Sequence, residues 1–328
     1  MKLFFYQMRV FDELSFAEKY SREYGIEFGY TEQNPSLETA DLCRGYEAVT
    51  MNPSDMSAPV VERMHENGVK YICARSIGYD HIDLVAAKRL GMRVSNASYP
   101  PETVANYAVM LMMMSLRKMN EIMGRAAVQD YSLPGKLGKD LSSQTVGIIG
   151  TGKIGTTVIR HLSGFGCRIL CSDPYENDEA KKYAAYADLD TLYKESDVIS
   201  LHTNATDANE HLLNAAAFSK MKDGVVIVNT ARGRLIDTDA LISALESGKV
   251  GAAGLDVIEH EVGLYYNNKV SDVIVNPELA LLRSFPNVIV TPHTAFYTES
   301  SVDNMVKSAF DSALAFSKGE ETEHEVKL

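Results

Sequence analysis

Gly150-Thr151-Gly152-Lys153-Ile154-Gly155 follows directly on the apolar run Val146-Gly147-Ile148-Ile149, and no other stretch constrains the fold as much. A tight turn, an unobstructed backbone and a close helix–strand contact each need a residue without Cβ, and the three glycines supply them in that order. Glycines alone mark many turns. Here a strand precedes them, a helix opens at Ile154, and a second strand, Arg168–Ser172, ends in Asp173 at about the spacing a dinucleotide site requires. Such a turn aims free N–H groups and a helix dipole at a pyrophosphate. Asp173 can accept from ribose hydroxyls and repel a 2′-phosphate. Pro174, Tyr175 and Glu176 follow with no Arg or Lys close by, so NAD is expected over NADP, on Gly150, Gly152, Gly155 and Asp173.

The alternation of strand and helix extends in both directions. Lys2–Tyr6, Ile26–Tyr30, Ala48–Met51, Val69–Ala74 and Arg93–Ser95 read as strands, separated by amphipathic stretches such as Ser57–Asn67 and Asp83–Leu90. A second series reads Thr145–Ile149, Arg168–Ser172, Val198–Leu201, Val225–Thr230, Ala252–Val257 and Val288–Thr291, with helices over Gly155–Phe165 and Thr238–Ser247. Strands joined by helical crossovers form parallel sheets, so the fold class is α/β. Pro100–Gln129 reads as one long helix, apolar over much of its circumference and hence buried in a core, between domains or between subunits. A closing helix is expected over Ser300–Lys318, and the acidic tail Gly319–Leu328 reads as a solvated end.

Composition narrows the partners. A chain of 328 residues suggests two domains, and 32 Lys and Arg against 44 Asp and Glu leave a formal charge of −12. That charge repels phosphate backbones and anionic lipid, so neither nucleic acid nor membrane is an expected partner. The longest apolar run, Ala108–Leu116, falls short of the roughly 20 residues a bilayer crossing takes. Leu3–Tyr6 is too short for a signal peptide and is followed by Arg9, Asp12 and Glu13. Cys43, Cys73, Cys167 and Cys171 make no CxxC pair and no zinc spacing with His, which suggests reduced thiols in a cytoplasmic protein without a metal.

Ligands of open parallel sheets bind beyond the carboxyl ends of the strands. Arg232 follows Val225–Thr230, Glu261 lies shortly after Asp256, His293 follows Val288–Thr291, and His202 follows Val198–Leu201. Singly, each has an equally good structural role. Jointly, beside a nicotinamide, Arg, Glu and His are the machinery of 2-oxo acid reduction. Arg232 can grip a carboxylate with its planar fork, His293 can protonate the developing alkoxide, and Glu261 can hold the imidazole protonated.

The order GTGKIG, Asp173, NTARG, GLDVIEHE, PHTAFYT resembles the D-2-hydroxyacid dehydrogenases over essentially the whole chain. ARSIGYDHIDL (74–84), SYPPETVANYAV (98–109) and TPHTAFYT (291–298) are most similar to the D-lactate dehydrogenase branch, including the vancomycin-resistance type. The resemblance implies two doubly wound domains, a Rossmann NAD-binding domain (100–296) inserted into a flavodoxin-like substrate domain (1–99 and 297–328). It implies closure of these domains on substrate, and a homodimer. By the same resemblance Arg232, Glu261 and His293 are catalytic, and Ser76, Ile77, Gly78, Tyr99 and Phe296 contact substrate. Lys153, Ile154, His202, Thr203, Asn204, Asn209, Thr230, Ala231, Arg232 and Asp256 join the glycines and Asp173 on the cofactor.

The expected reaction is NADH-dependent reduction of a small 2-oxo acid to the D-(R)-2-hydroxy acid, with D-lactate the leading product. Asn204, Asn106 and Thr230-Ala231 depart from the family's commoner residues, and Thr50-Met51-Asn52 lacks an aromatic often found in lactate enzymes. A larger branched or aromatic 2-oxo acid is the alternative substrate, its pocket suggested by Tyr99, Met51, Phe296 and Tyr297. The alternative from another class is an NAD(H)-sensing binding protein. The chain's end soon after its last helix is expected to exclude the tails such proteins carry. Formate-type relatives carry Gln where Glu261 stands, and phosphoglycerate-type relatives often add a regulatory domain.

Overall fold

The computed structural model describes residues 1–261 and 263–328. They divide into two compact units, Met1–Pro100 with Tyr297–Leu328, and Pro101–Phe296.

In the first unit the strands are β1 (Lys2–Phe5), β2 (Glu27–Tyr30), β3 (Ala48–Met51), β4 (Tyr71–Ala74) and β5 (Arg93–Ser95). Among the described residues they form one parallel sheet in the order β2-β1-β3-β4-β5, with a switch point between β1 and β3. Alternation sorts each strand's side chains between two cores. Leu3, Phe5, Ala48 and Cys73 face α1 (Leu14–Tyr24) and the returning last helix (Glu299–Ser317), which brings Val306, Phe310 and Phe316. Phe4, Val49, Met51, Ile72 and Val94 face α2 (Ala58–Glu66) and α3 (Leu84–Arg89). Phe310 is fully buried, and burial of such a ring stabilises by about 1.5–3 kcal/mol, which is why the chain returns to this sheet.

The tail does not extend into solvent as its acidity suggests. Ser95 pairs antiparallel with Glu325, the Val326 N–H donates to Val94 O at 2.8 Å, and Arg93 grips both Glu325 oxygens at 2.8 and 2.6 Å. Unpaired donors and acceptors on the β5 edge hold the tail through this single antiparallel bridge.

The second unit holds α4 (Glu102–Leu116), α5 (Met119–Ala127), β6 (Thr145–Ile149), α6 (Lys153–Ser163), β7 (Arg168–Ser172), β8 (Ala185–Tyr186), α7 (Leu189–Glu195), β9 (Val198–Leu201), α8 (Ala215–Lys220), β10 (Val225–Asn229), α9 (Thr238–Glu246), β11 (Val250–Leu255), α10 (Pro277–Ser284) and β12 (Val288–Val290). The last helix of the chain is α11. Among the described residues the parallel order is β12-β11-β10-β9-β6-β7-β8. Strand order reverses between β6 and β9, so the glycine turn after β6 opens at the switch point. Sequence periodicity placed β11 two residues late and did not show β8, whose two residues are too few for a pattern.

The long helix expected over 100–129 is two. The Leu116 carbonyl accepts from the Lys139 N–H at 3.0 Å, and Lys118 turns left-handed at φ +54°. Asn120 then donates to the Pro286 and Val288 carbonyls at 3.1 and 2.9 Å, bonds that offset the strained turn. α4 packs so closely on β11 that a Cβ on Gly254 would lie 3.0 Å from Leu111 Cβ. α5 has no buried residue.

Candidate active site

The glycine turn is built as its spacing demands. Gly150 has φ +99°, and a Cβ there would meet the His202 carbonyl oxygen at 2.5 Å. A Cβ on Gly155 would meet the Gly150 oxygen at 2.0 Å, so α6 can rise from β6 only without one. Around Gly152, which caps α6, a Cβ would meet nothing within 4 Å. That open backbone, ahead of Lys153 and Ile154 in the first turn, is a cradle of N–H groups without intrahelical partners. Asp173 closes the other side, accepting from Thr151 N at 2.7 Å and Tyr175 N at 2.8 Å. Tyr186 and Asn177, unnoticed in the sequence, hold Thr151 through its hydroxyl and carbonyl.

His202 packs its backbone on Gly150, with its N–H donating to Ile149 O at 2.7 Å. Its Nε2 meets Ser200 Oγ at 2.9 Å, and Nδ1 is buried without a hydrogen-bond partner. Burial pushes this imidazole down to about 4, so it is neutral near pH 7. An orphaned nitrogen beside an open anion cradle fits a bound dinucleotide. Asn209, expected on the cofactor, spends its amide shaping the loop: Oδ1 accepts from Thr206 N at 2.7 Å and Nδ2 donates to Asn204 O at 2.8 Å. Thr203 is half-buried and Asn204 exposed in the same loop.

Beyond β10, Asn229 shapes the turn that carries Arg232. Its Oδ1 accepts from Ala231 N at 2.9 Å and its Nδ2 donates to Arg232 O at 2.8 Å. Asn229 is fully buried, while the Thr230 hydroxyl is buried without a partner in the same turn. Arg232 Nη1 donates to the Ala231 carbonyl at 2.8 Å.

Asp256, at the end of β11, is spent on the next strand's loop. Oδ1 accepts from Thr291 Oγ1 at 2.6 Å and Thr294 N at 2.9 Å, and Oδ2 from Ala295 N at 2.8 Å. Burial pushes its carboxyl above the usual value against these bonds. Its carbonyl accepts from His293 N at 2.8 Å, holding His293 at φ +54°, a costly left-handed conformation for a residue other than glycine. Tyr266, itself at φ +65°, donates to the His293 carbonyl at 2.8 Å. So clamped, His293 presents Nδ1 to Glu261 Oε1 at 2.7 Å, while Glu261 Oε2 accepts from Ile258 N at 3.2 Å. The Phe296 ring lies edge-on to His293, centroids 6.4 Å apart, and Tyr266 stands 6.1 Å from the imidazole. Tyr266 had no signal beyond its aromatic identity.

The structure thus joins Glu261, His293 and Phe296 in the second unit, and Arg232 follows β10, the strand paired with β11 in the same sheet. Ser76, Ile77, Gly78 and Tyr99 belong to the first unit, beyond the carboxyl ends of β4 and β5. Ser76 Oγ donates to Gly78 O at 2.7 Å, and Asn96 Nδ2 holds Ile77 O at 2.8 Å. Met51 is not a pocket residue: alternation turns it into the core, fully buried. Tyr297 gives its hydroxyl to Asp12 at 2.6 Å.

Residues 109–295 match the model of the D-isomer specific 2-hydroxyacid dehydrogenase, NAD binding domain. The chain is 39% identical over 310 residues to the aromatic 2-oxoacid reductase of Clostridium sporogenes, covering 94% of this chain and 93% of the other. It is 40% identical over 329 residues to the D-lactate dehydrogenase of Escherichia coli K12, covering 99% and 100%. Among solved structures, D-2-hydroxyisocaproate dehydrogenase superposes with a TM-score of 0.89 at 35% identity, over 99% of each chain.

Proposed function

Since the chain belongs to the D-isomer specific 2-hydroxyacid dehydrogenases, we propose that it reduces a small 2-oxo acid to the D-(R)-2-hydroxy acid, using Arg232, Glu261 and His293. NAD is the cofactor, and in its reduced form supplies the hydride. Gly150, Gly152 and Gly155 with the first turn of α6 hold its pyrophosphate, and Asp173 its ribose.

Arg232 binds the substrate carboxylate through its fork and orients the adjacent carbonyl. His293 donates the proton to the carbonyl oxygen. Its Nδ1 is taken by Glu261 at 2.7 Å, which leaves Nε2 to carry the transferable proton. Glu261 keeps the ring in that orientation. Asp256 and Tyr266 hold the His293 backbone. Residues 1–100 with 297–328 act as the substrate domain, and Phe296 beside the imidazole faces the substrate's side chain. Pyruvate, giving D-lactate, is the leading substrate, supported by the relatives that carry that name.

The observation that carries this reading is the Glu261–His293 pair on the same sheet as the GxGxxG turn. The test is loss of NADH absorbance with pyruvate, 4-methyl-2-oxopentanoate and phenylpyruvate, with NADPH in parallel and a His293→Ala control. Turnover that depends on His293 supports the reading, and the ranking of acids sizes the pocket. Tight NADH binding with none of them reduced would sink it.

A homodimer is part of the proposal. Met123, Val128, Tyr131, Leu133 and Leu137 are 62% to 89% exposed along α5 and the following arm, an apolar surface suited to a second copy of the chain. The four free cysteines support a cytoplasmic setting.

A further inference from the structure

Glu259 stands two residues before Glu261, and both of its oxygens are committed within the second unit. Oε2 accepts from the Thr238 N–H at 2.9 Å and hydroxyl at 2.6 Å, and Oε1 meets His211 Nε2 at 2.7 Å. Burial opposes charge on Glu259, yet the bonds from Thr238 and His211 hold its carboxyl below the usual value. The Glu259 bond in turn raises His211, which also faces Asp237 at 4.0 Å and the nearby charge of Glu210.

These bonds gather three segments. Thr238 opens α9 just after the turn that begins at Arg232. His211 belongs to the connection after β9 and is tied to the same turn, its N–H donating to Arg234 O at 2.9 Å. Glu259 belongs to the stretch between β11 and Glu261. Backbone at His211 and at His260 is left-handed, φ +50° and +57°, a strain that persists only where surrounding bonds enforce it. Neither Glu259, Thr238 nor His211 bonds to His293, so the cluster has no direct part in proton transfer.

We propose that Glu259 is a positioning residue: anchored on Thr238 and His211, it fixes the stretch carrying Glu261 against the Arg232 turn, so that Glu261 meets His293. This rests on reading Glu261 and His293 as the catalytic pair. Glu259→Ala lowers kcat by about 10- to 100-fold, the loss expected when a reacting group is displaced by ~1 Å. NADH affinity by fluorescence titration stays unchanged. Glu259→Gln retains an oxygen for Thr238 and an amide for neutral His211, and restores most of kcat.

The deciding measurement is a double-mutant cycle. In a Glu261→Gln background, Glu259→Ala adds no further loss if it acts only through Glu261. Additive losses would overturn the proposal, as would failure of Glu259→Gln to restore kcat, or a fall in kcat matched by loss of NADH binding and melting temperature. Full turnover by His293→Ala would instead overturn the catalytic reading, and the proposal with it.

Discussion

Gly233 rests directly on the backbone of Ile258: a Cβ added to the glycine would lie 2.1 Å from both the carbonyl carbon and the carbonyl oxygen. The residue after Arg232 is therefore in contact with the stretch that leads to Glu261, and two parts of the proposed machinery share one backbone junction. Gly233→Ala must push them apart. The expected cost is about 1–3 kcal/mol of stability, as for other overpacked sites, with a fall in kcat at saturating NADH. A melt and a progress curve check it, and wild-type values in both would refute the junction's importance.

Arg232→Lys separates charge from geometry. An ammonium keeps the charge but loses the fork, so KM for the 2-oxo acid rises and kcat falls, while NADH affinity is unchanged. Steady-state kinetics beside a binding titration decide the matter. A loss confined to NADH binding would move Arg232 out of the substrate site.

In the first unit, Arg75 and Glu13 are both fully buried and bonded at 3.1 Å, and Arg75 also donates to Tyr6 O at 2.9 Å. Burial works against charge on Glu13, but Arg75 and Arg9 hold its carboxyl below the usual value. A depressed carboxyl contributes stability above its unfolded pKa of about 4.3, lost as pH falls through the folded value. Glu13→Gln therefore costs about 3–5 kcal/mol at pH 7, the scale for breaking a buried pair, and the gap to wild type narrows below about pH 4. Denaturant titrations across pH test the sign.

Removal of residues 320–328 uncovers the β5 edge and takes away Val326, which is 8% exposed. Melting temperature falls, and light scattering grows with concentration as bare edges pair. A truncated protein that melts and scatters like wild type would show that the tail's pairing is incidental.

Leu133→Asp with Leu137→Asp places charge on the arm after α5, where both leucines exceed 80% exposure. The proposed homodimer predicts that light scattering on a sizing column reports a dimer for the unaltered chain and a monomer for the variant, with the melting temperature little changed. A dimer that survives both substitutions would place the interface elsewhere.

Local chemistry was legible in the amino-acid order. Turn glycines, strand alternation and the residues at strand ends each act within a few positions of the chain. That is why the GxGxxG turn, the strands from β1 to β7 and the approach of His293 to the sheet edge could be anticipated. Asp173 at the end of β7 belongs to the same class. What the tertiary structure decided lies between segments far apart. The helix break at Lys118 depends on Lys139 and Val288, and the tail's docking depends on an open edge at β5. The 2.7 Å bond from His293 to Glu261 needs a left-handed backbone held by Asp256 and Tyr266. No periodicity encodes such bonds, because each partner's position is set by packing on different strands, and Glu259 finds Thr238 and His211 only once β9, β10 and β11 lie side by side.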